Sequence, residues 1–205
     1  MTPTAWNQLW KWVLLCVLAM CAPLAWAKNN QYGTLAYHDV VDEAGSIYHQ
    51  VKTSEQNPKS DILKAYYPQT ISKKTLISHF NWLKSNGYNV VSWQDILDSQ
   101  TGKKTLPDKA VLLTFDDGYE SFYRIVYPLL KEYNYPAVFA VVTSLLDQAP
   151  NSMVVFGDTR IARGAFVTWP QIKEMSDSGL VEIASHTHNM HRAIKANPGG
   201  SAKPA

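Results

Sequence analysis

The sequence predicts an α/β fold built on a parallel sheet. Short apolar runs alternate with stretches of helical periodicity. The runs are continuously apolar instead of alternating with polar residues, as expected of strands covered on both faces. Polar, chemistry-bearing residues also cluster just after the apolar runs, at the strand ends where parallel sheets carry their sites.

The elements follow in chain order. Gly33 to Tyr37 reads as a short strand ending at His38-Asp39, and the polar, aperiodic stretch from Asp42 to about Gln69 as a long surface loop. Ser72 to Ser85 is helical, because Leu76, Phe80 and Leu83 recur at i, i+4, i+7 and Asn86-Gly87 supplies a stop. Tyr88 to Ser92 reads as a strand, Trp93 to Ser99 as a short helix and Thr101 to Asp108 as a polar loop. Ala110 to Phe115 is a buried strand followed by a helix from Tyr119 to Tyr133, which Pro128 should kink by removing an N–H and crowding the preceding turn. Ala137 to Val142 is again wholly apolar. Thr168 caps a helix that holds Pro170 in its first turn and ends at Gly179, and Leu180 to Ala184 is the last strand.

The chain has 205 residues, 46% hydrophobic and 18% charged, which fits one globular domain. A formal net charge of +2 gives no electrostatic footprint for nucleic acid or an anionic membrane. There is no P-loop and no dinucleotide fingerprint. Trp12 to Trp26 is apolar apart from Pro23, follows Lys11, and ends in Ala25-Trp26-Ala27, a small-x-small cleavage signature. It is short for a membrane span, so residues 1–27 read as a signal peptide and the chain as secreted across the inner membrane. Lipid attachment at Cys21, with outer-membrane association, is the weaker option because Met20 is bulky. Both cysteines, Cys16 and Cys21, lie in this segment. The mature chain is therefore left with Asp, Glu, His and water for its chemistry.

Two stretches carry that chemistry: Thr114-Phe115-Asp116-Asp117-Gly118-Tyr119 and Ser185-His186-Thr187-His188-Asn189-Met190-His191. On neighbouring strands they bring carboxylates and imidazoles to one sheet edge, a donor set for a divalent metal with positions left for water and substrate. Adjacent carboxylates repel, and a cation beside them removes that cost. On a regular strand His186 and His188 share a face, so the spacing alone leaves open which imidazoles serve. His38 falls at the same edge. His79, His49 and the Tyr66-Tyr67 pair read as ordinary packing or surface residues. A haloacid-dehalogenase-type phosphatase does not fit, because its two aspartates are separated by one residue.

The first stretch resembles the signature of NodB-type polysaccharide deacetylases, carbohydrate esterase family four. The second resembles that family's His-Ser/Thr-x-x-His signature with one residue added. The longer spacing, with Ala36-Tyr37-His38-Asp39-Val40 and Phe166-Val167-Thr168-Trp169, is similar to the periplasmic poly-β-1,6-N-acetylglucosamine N-deacetylase branch. The resemblance runs from about Gly33 to Asn197. It implies a parallel-stranded (β/α) deacetylase barrel over residues 28–197, incomplete at its C-terminal side, with residues 198–205 as a disordered tail. It also implies Asp116 as catalytic base, His38 as the acid, and Asp117, His186 and His191 as ligands of one divalent metal (Zn, Co or Ni), with His188 a bystander. The implied substrate is the poly-N-acetylglucosamine exopolysaccharide of biofilms, reached in the periplasm beside its export machinery. The competing expectation is a shortened, non-catalytic remnant that only binds metal or glycan. If residues 1–27 are an export signal, mass spectrometry of protein recovered from the periplasm will find Lys28 at the N-terminus. An intact Met1 or a lipidated Cys21 contradicts that cleavage.

Overall fold

A computed structural model describes residues 30–42, 69–157, 159–191, 193–195 and 202–204. The expected export segment 1–27 with Cys16 and Cys21, and residues 43–68 of the expected loop with His49, Tyr66 and Tyr67, lie outside the described residues.

The centre is a parallel sheet of five strands. These are β1 (Tyr32–Tyr37), β4 (Asn89–Val90), β5 (Ala110–Phe115), β6 (Ala137–Val142) and β9 (Val181–Thr187). β5 pairs with β1 along its whole length, with β4 over Ala110 and Val111, and with β6 over Thr114 and Phe115. β6 then pairs with β9, so the order is β1-β5-β6-β9. All five strands expected from the apolar runs are in this sheet, and its parallel sense is the expected one. Among the described residues β1 and β9 are its edges and do not pair with each other, so the sheet is an open arc consistent with an incomplete barrel.

Helices explain the continuous apolar runs. α1 (Lys73–Ser85) is capped by Ser72, whose hydroxyl accepts from Thr75 N at 3.0 Å, and it buries Leu76, Phe80 and Leu83 as their spacing predicts. α2 (Trp93–Gln100) opens with a Ser92–Asp95 capping box and packs Ile96 with Val91, Leu106, Ala110 and Leu112 on the other face of β5. The first face holds Leu113, Phe115, Phe122 and Phe139 in the larger core. Phe122 lies parallel to Phe139 with centroids 3.9 Å apart and edge-on to Phe115 at 5.0 Å.

The stretch expected to be one Pro-kinked helix is different. Phe122–Val126 is a π turn, with Tyr127 N donating to Phe122 O, and α3 (Tyr127–Tyr133) begins just before Pro128. The proline falls in the first turn, where no intrahelical donor is needed, and the wider i→i−5 register ahead of it removes the clash. The paired part of the strand expected at Tyr88 to Ser92 shortens to Asn89–Val90, and the last strand runs past Ala184 to Thr187.

Several small elements had no forecast. β2 (Val40–Val41) pairs in parallel with β3 (Ile71–Ser72). α4 (Thr143–Leu146) follows β6, and β7 (Met153–Phe156) with β8 (Thr159–Ala162) forms an antiparallel hairpin. α5 (Trp169–Asp177) is the helix expected behind Thr168, and it is closed at its start by a Thr168–Gln171 capping box. β10 (Ala193–Lys195) pairs with β11 (Ala202–Pro204) in antiparallel register.

The ring stack between helix and sheet makes a direct test. Phe122→Ala leaves a cavity against Phe139 and Phe115 and is expected to cost about 3–5 kcal/mol, read by urea unfolding. A loss below about 1 kcal/mol would show that this stack does not hold helix to sheet.

Candidate functional site

The site is built at the C-terminal edge of β5 and β9. Asp116 follows β5 directly, and its N–H donates to Tyr37 O at 2.9 Å, joining the end of β5 to the end of β1. His38 comes next on β1, and its Nε2 lies 3.9 Å from Asp116 Oδ2. Both side chains are about one-quarter exposed, open to an incoming molecule.

Asp117 is treated oppositely. Its φ is +74° and that of Gly118 is +86°, so two successive residues are left-handed. A non-glycine residue held there costs about 1–3 kcal/mol, which the surroundings must over-determine. They do so from two sides. A Cβ on Gly118 would lie 3.3 Å from Val141 Cβ, so this turn sits tightly on β6. Gly118 O also accepts from Val167 N at 2.9 Å, and Tyr119 bridges to Phe166. The reversal separates the two neighbouring carboxylates. Asp116 remains accessible, while the Asp117 side chain is 1% exposed.

His186 reaches Asp117 through an irregularity in β9. Val141 pairs with Ser185, but Val142 pairs with Thr187, so His186 is the extra residue of a bulge. A bulge re-aims a side chain and breaks the alternation that would have paired His186 with His188. His186 Nε2 lies 3.4 Å from Asp117 Oδ1. The chain then turns, with Met190 N donating to Thr187 Oγ1 at 3.1 Å, and brings back His191, whose Nε2 lies 3.0 Å from the same oxygen. The added residue of the histidine spacing is absorbed in this turn. His191 is held from behind by the hairpin: Gly157 N donates to its carbonyl at 3.0 Å, and Phe156 stacks on its ring at 4.2 Å. His188 points elsewhere, its Nδ1 2.8 Å from Thr143 Oγ1.

Asp117, His186 and His191 present ligand atoms within 4.8 Å of one another. Among the described residues neither oxygen of the buried Asp117 carboxylate accepts a hydrogen bond from a backbone N–H or a hydroxyl. A buried carboxylate without a partner is costly, and two imidazole nitrogens facing it make a cation the fitting complement. Burial works against a charged His191, yet the adjacent Asp117 carboxylate outweighs it and holds the imidazole above its ordinary pKa. Close by, burial raises the carboxyl of Asp39, which accepts from the Ser121 hydroxyl at 2.7 Å.

Every residue singled out at this edge is therefore brought together except His188, which is beside the cluster and not in it. His79 is a packing residue, 3.2 Å from the Tyr37 hydroxyl. Two contributors were not foreseen. The hairpin behind His191 was signalled by the short apolar run Met153-Val154-Val155-Phe156 followed by the Gly-Asp dipeptide in the sequence. Arg163 gave no such signal. It is 4% exposed and donates to Leu146 O, Phe166 O and Val167 O, fastening the segment that supports the Gly118 turn.

Residues 103–201 match the sequence profile described as polysaccharide deacetylase. The chain is 41% identical over 177 residues to the poly-β-1,6-N-acetyl-D-glucosamine N-deacetylase of Escherichia coli K12, covering 86% of this chain and 23% of that protein. Identity to the Staphylococcus aureus MRSA252 enzyme of the same description is 29%, over 62% of this chain and 40% of that protein. The chain thus spans well under half the length of these curated relatives. Among solved structures, a de-N-acetylase from Aggregatibacter actinomycetemcomitans superposes with a TM-score of 0.71 at 54% identity, over 84% of this chain and 61% of that one. The BpsB deacetylase domain from Bordetella bronchiseptica gives 0.64 at 34% identity, over 87% and 63%.

The geometry distinguishes the histidines. His188→Ala should leave cobalt binding unchanged by visible absorption and calorimetry, whereas His191→Ala should weaken it by at least about 10-fold. The reverse order would assign the ligands wrongly.

Proposed function

The chain belongs to the polysaccharide deacetylase family, and on that premise we propose that it removes N-acetyl groups from a β-1,6-linked N-acetylglucosamine polymer. The observation that carries this reading is the orphaned, buried Asp117 carboxylate facing His186 and His191, next to an accessible Asp116–His38 pair. The choice of polymer is supported by the curated relatives from E. coli and S. aureus, whose names specify it.

Asp117, His186 and His191 would hold one divalent cation. Zn²⁺ suits these ligands, and Co²⁺ or Ni²⁺ are compatible with them. Such an ion acts as a Lewis acid and lowers the pKa of bound water from about 15.7 to about 7. The remaining work belongs to the chain. Asp116 accepts a proton from the water that adds to the acetamide carbonyl. His38, across from it, donates a proton to the glucosamine nitrogen as the C–N bond breaks, so acetate and a free amine leave. The left-handed Asp117-Gly118 turn gives the two carboxylates these separate tasks by burying one and leaving the other open to water.

Cleavage and export directed by residues 1–27 would put this activity outside the inner membrane, where an exopolysaccharide is met during export. Among the described residues no helix is long and apolar enough to cross a membrane.

The roles separate by substitution. Asp116→Asn should keep cobalt while lowering acetate release from a β-1,6-linked N-acetylglucosamine pentamer by about 10²–10⁴-fold, the usual worth of a general base. Asp117→Asn should lose both metal and activity. Equal metal loss in the two variants would contradict the assignment.

A further inference from the structure

We infer that Trp169 and Asp147 form a subsite for a second sugar of the polymer, next to the one that loses its acetyl group; this rests on the function proposed above. Trp169 is 45% exposed, unusual for so large an apolar ring. It is also fixed: its indole N–H donates to Asp147 Oδ1 at 3.0 Å, and its backbone is the first residue of α5 behind the Thr168–Gln171 capping box. The ring's polar edge is satisfied, and the rest of its surface is left partly open without freedom to collapse.

Its place relative to the metal ligands follows from the chain. Val167, two residues before Trp169, is bonded to Gly118, which adjoins Asp117. Asp147, exposed, directly follows α4. The first residues of α4 hold the histidine segment: Thr143 Oγ1 meets His188 Nδ1 at 2.8 Å, Ser144 N donates to His188 O at 2.9 Å, and the Ser144 hydroxyl lies 3.4 Å from Asn189 Oδ1. A connected strip therefore runs from His191 through Asn189 and His188, across α4, to Asp147 and Trp169. It combines partly exposed amide, imidazole and carboxylate groups with one fixed aromatic ring.

A pyranose has the complementary surface. Its axial C–H bonds form an apolar face suited to an indole, and its equatorial hydroxyls reach outward to polar groups at the ring edge. A neutral N-acetylglucosamine unit is the occupant that fits, because Asp147 already shares its charge with the indole N–H and accepts hydroxyls in addition. Binding a unit that does not react also gives a polymer hydrolase energy to spend on positioning the one that does. This assigns a use to His188 as well, as part of the sugar-binding strip outside the metal cluster.

The test follows the Trp169 indole N–H in the NMR spectrum of the cobalt- or zinc-loaded chain, identified by its loss in Trp169→Phe, during titration with the β-1,6-linked N-acetylglucosamine pentamer. Acetate release is measured in parallel. A saturable shift is expected, and Trp169→Ala should weaken pentamer affinity about tenfold, the worth of covering one indole face, with an unchanged cobalt spectrum. Should the pentamer bind or be deacetylated with the resonance unmoved, or should Trp169→Ala bind it as tightly, the subsite is refuted and the deacetylase reading stands. A saturable shift with no acetate released keeps the subsite and removes the deacetylase reading. Neither shift nor acetate overturns both.

Discussion

The structure depends on a carboxylate placed where a carboxylate should not be. Asp117 is fully buried at the end of an apolar sheet, on a left-handed residue, with only imidazole nitrogens facing its oxygens among the described residues. Desolvation and backbone strain both oppose that position, so it persists only because Val141, Val167 and the Tyr119–Phe166 bridge hold the turn and because its surroundings favour a positive charge. The bulge at His186, the turn that returns His191 and the hairpin stacked behind it all serve the same end. Together they bring two imidazole nitrogens to Oδ1 of this carboxylate.

That constraint also divides labour between two adjacent residues of identical chemistry. A regular extension of β5 would leave Asp116 and Asp117 as a repelling pair at the surface. The left-handed turn converts them into one buried and one accessible carboxylate, with His38 brought opposite the accessible one by the pairing of β1 and β5. The same sheet edge continues past α4 to a fixed, half-open tryptophan. The proposed metal site and the proposed sugar surface are neighbours for a topological reason: the crossover from β6 to β9 carries α4 and α5 and ends on the strand that holds His186.

Much of this was legible in the sequence, and the residues that were not have physical reasons. β5 and β6 are nearly continuous apolar runs, the other three sheet strands are shorter or mixed apolar stretches, and the helix caps at Ser72 and Thr168 are visible as residue types. The membership of Asp116, Asp117, His186 and His191 in one cluster followed from motifs at strand ends. Alternation alone could not separate His186 from His188, because a one-residue bulge leaves no compositional trace while it reverses which face each side chain takes. Pro128 was visible, but its accommodation by a π turn depends on the register of bonds upstream. Arg163 was silent: one arginine among 19 basic residues gives no sign that it will be buried against three carbonyl groups. The family resemblance supplied the roles of individual residues, and the geometry supplied the reason that such roles are compatible with these positions.

The central claim is that Asp117, His186 and His191 together enclose a single divalent cation. Anomalous diffraction from crystals of the chain grown with cobalt or zinc tests it most directly. The account predicts one strong peak at about 2.0–2.2 Å from an Asp117 oxygen and from one nitrogen each of His186 and His191. A peak bound by His188 in place of His191, or a fully loaded crystal with no density beside Asp117, would contradict it.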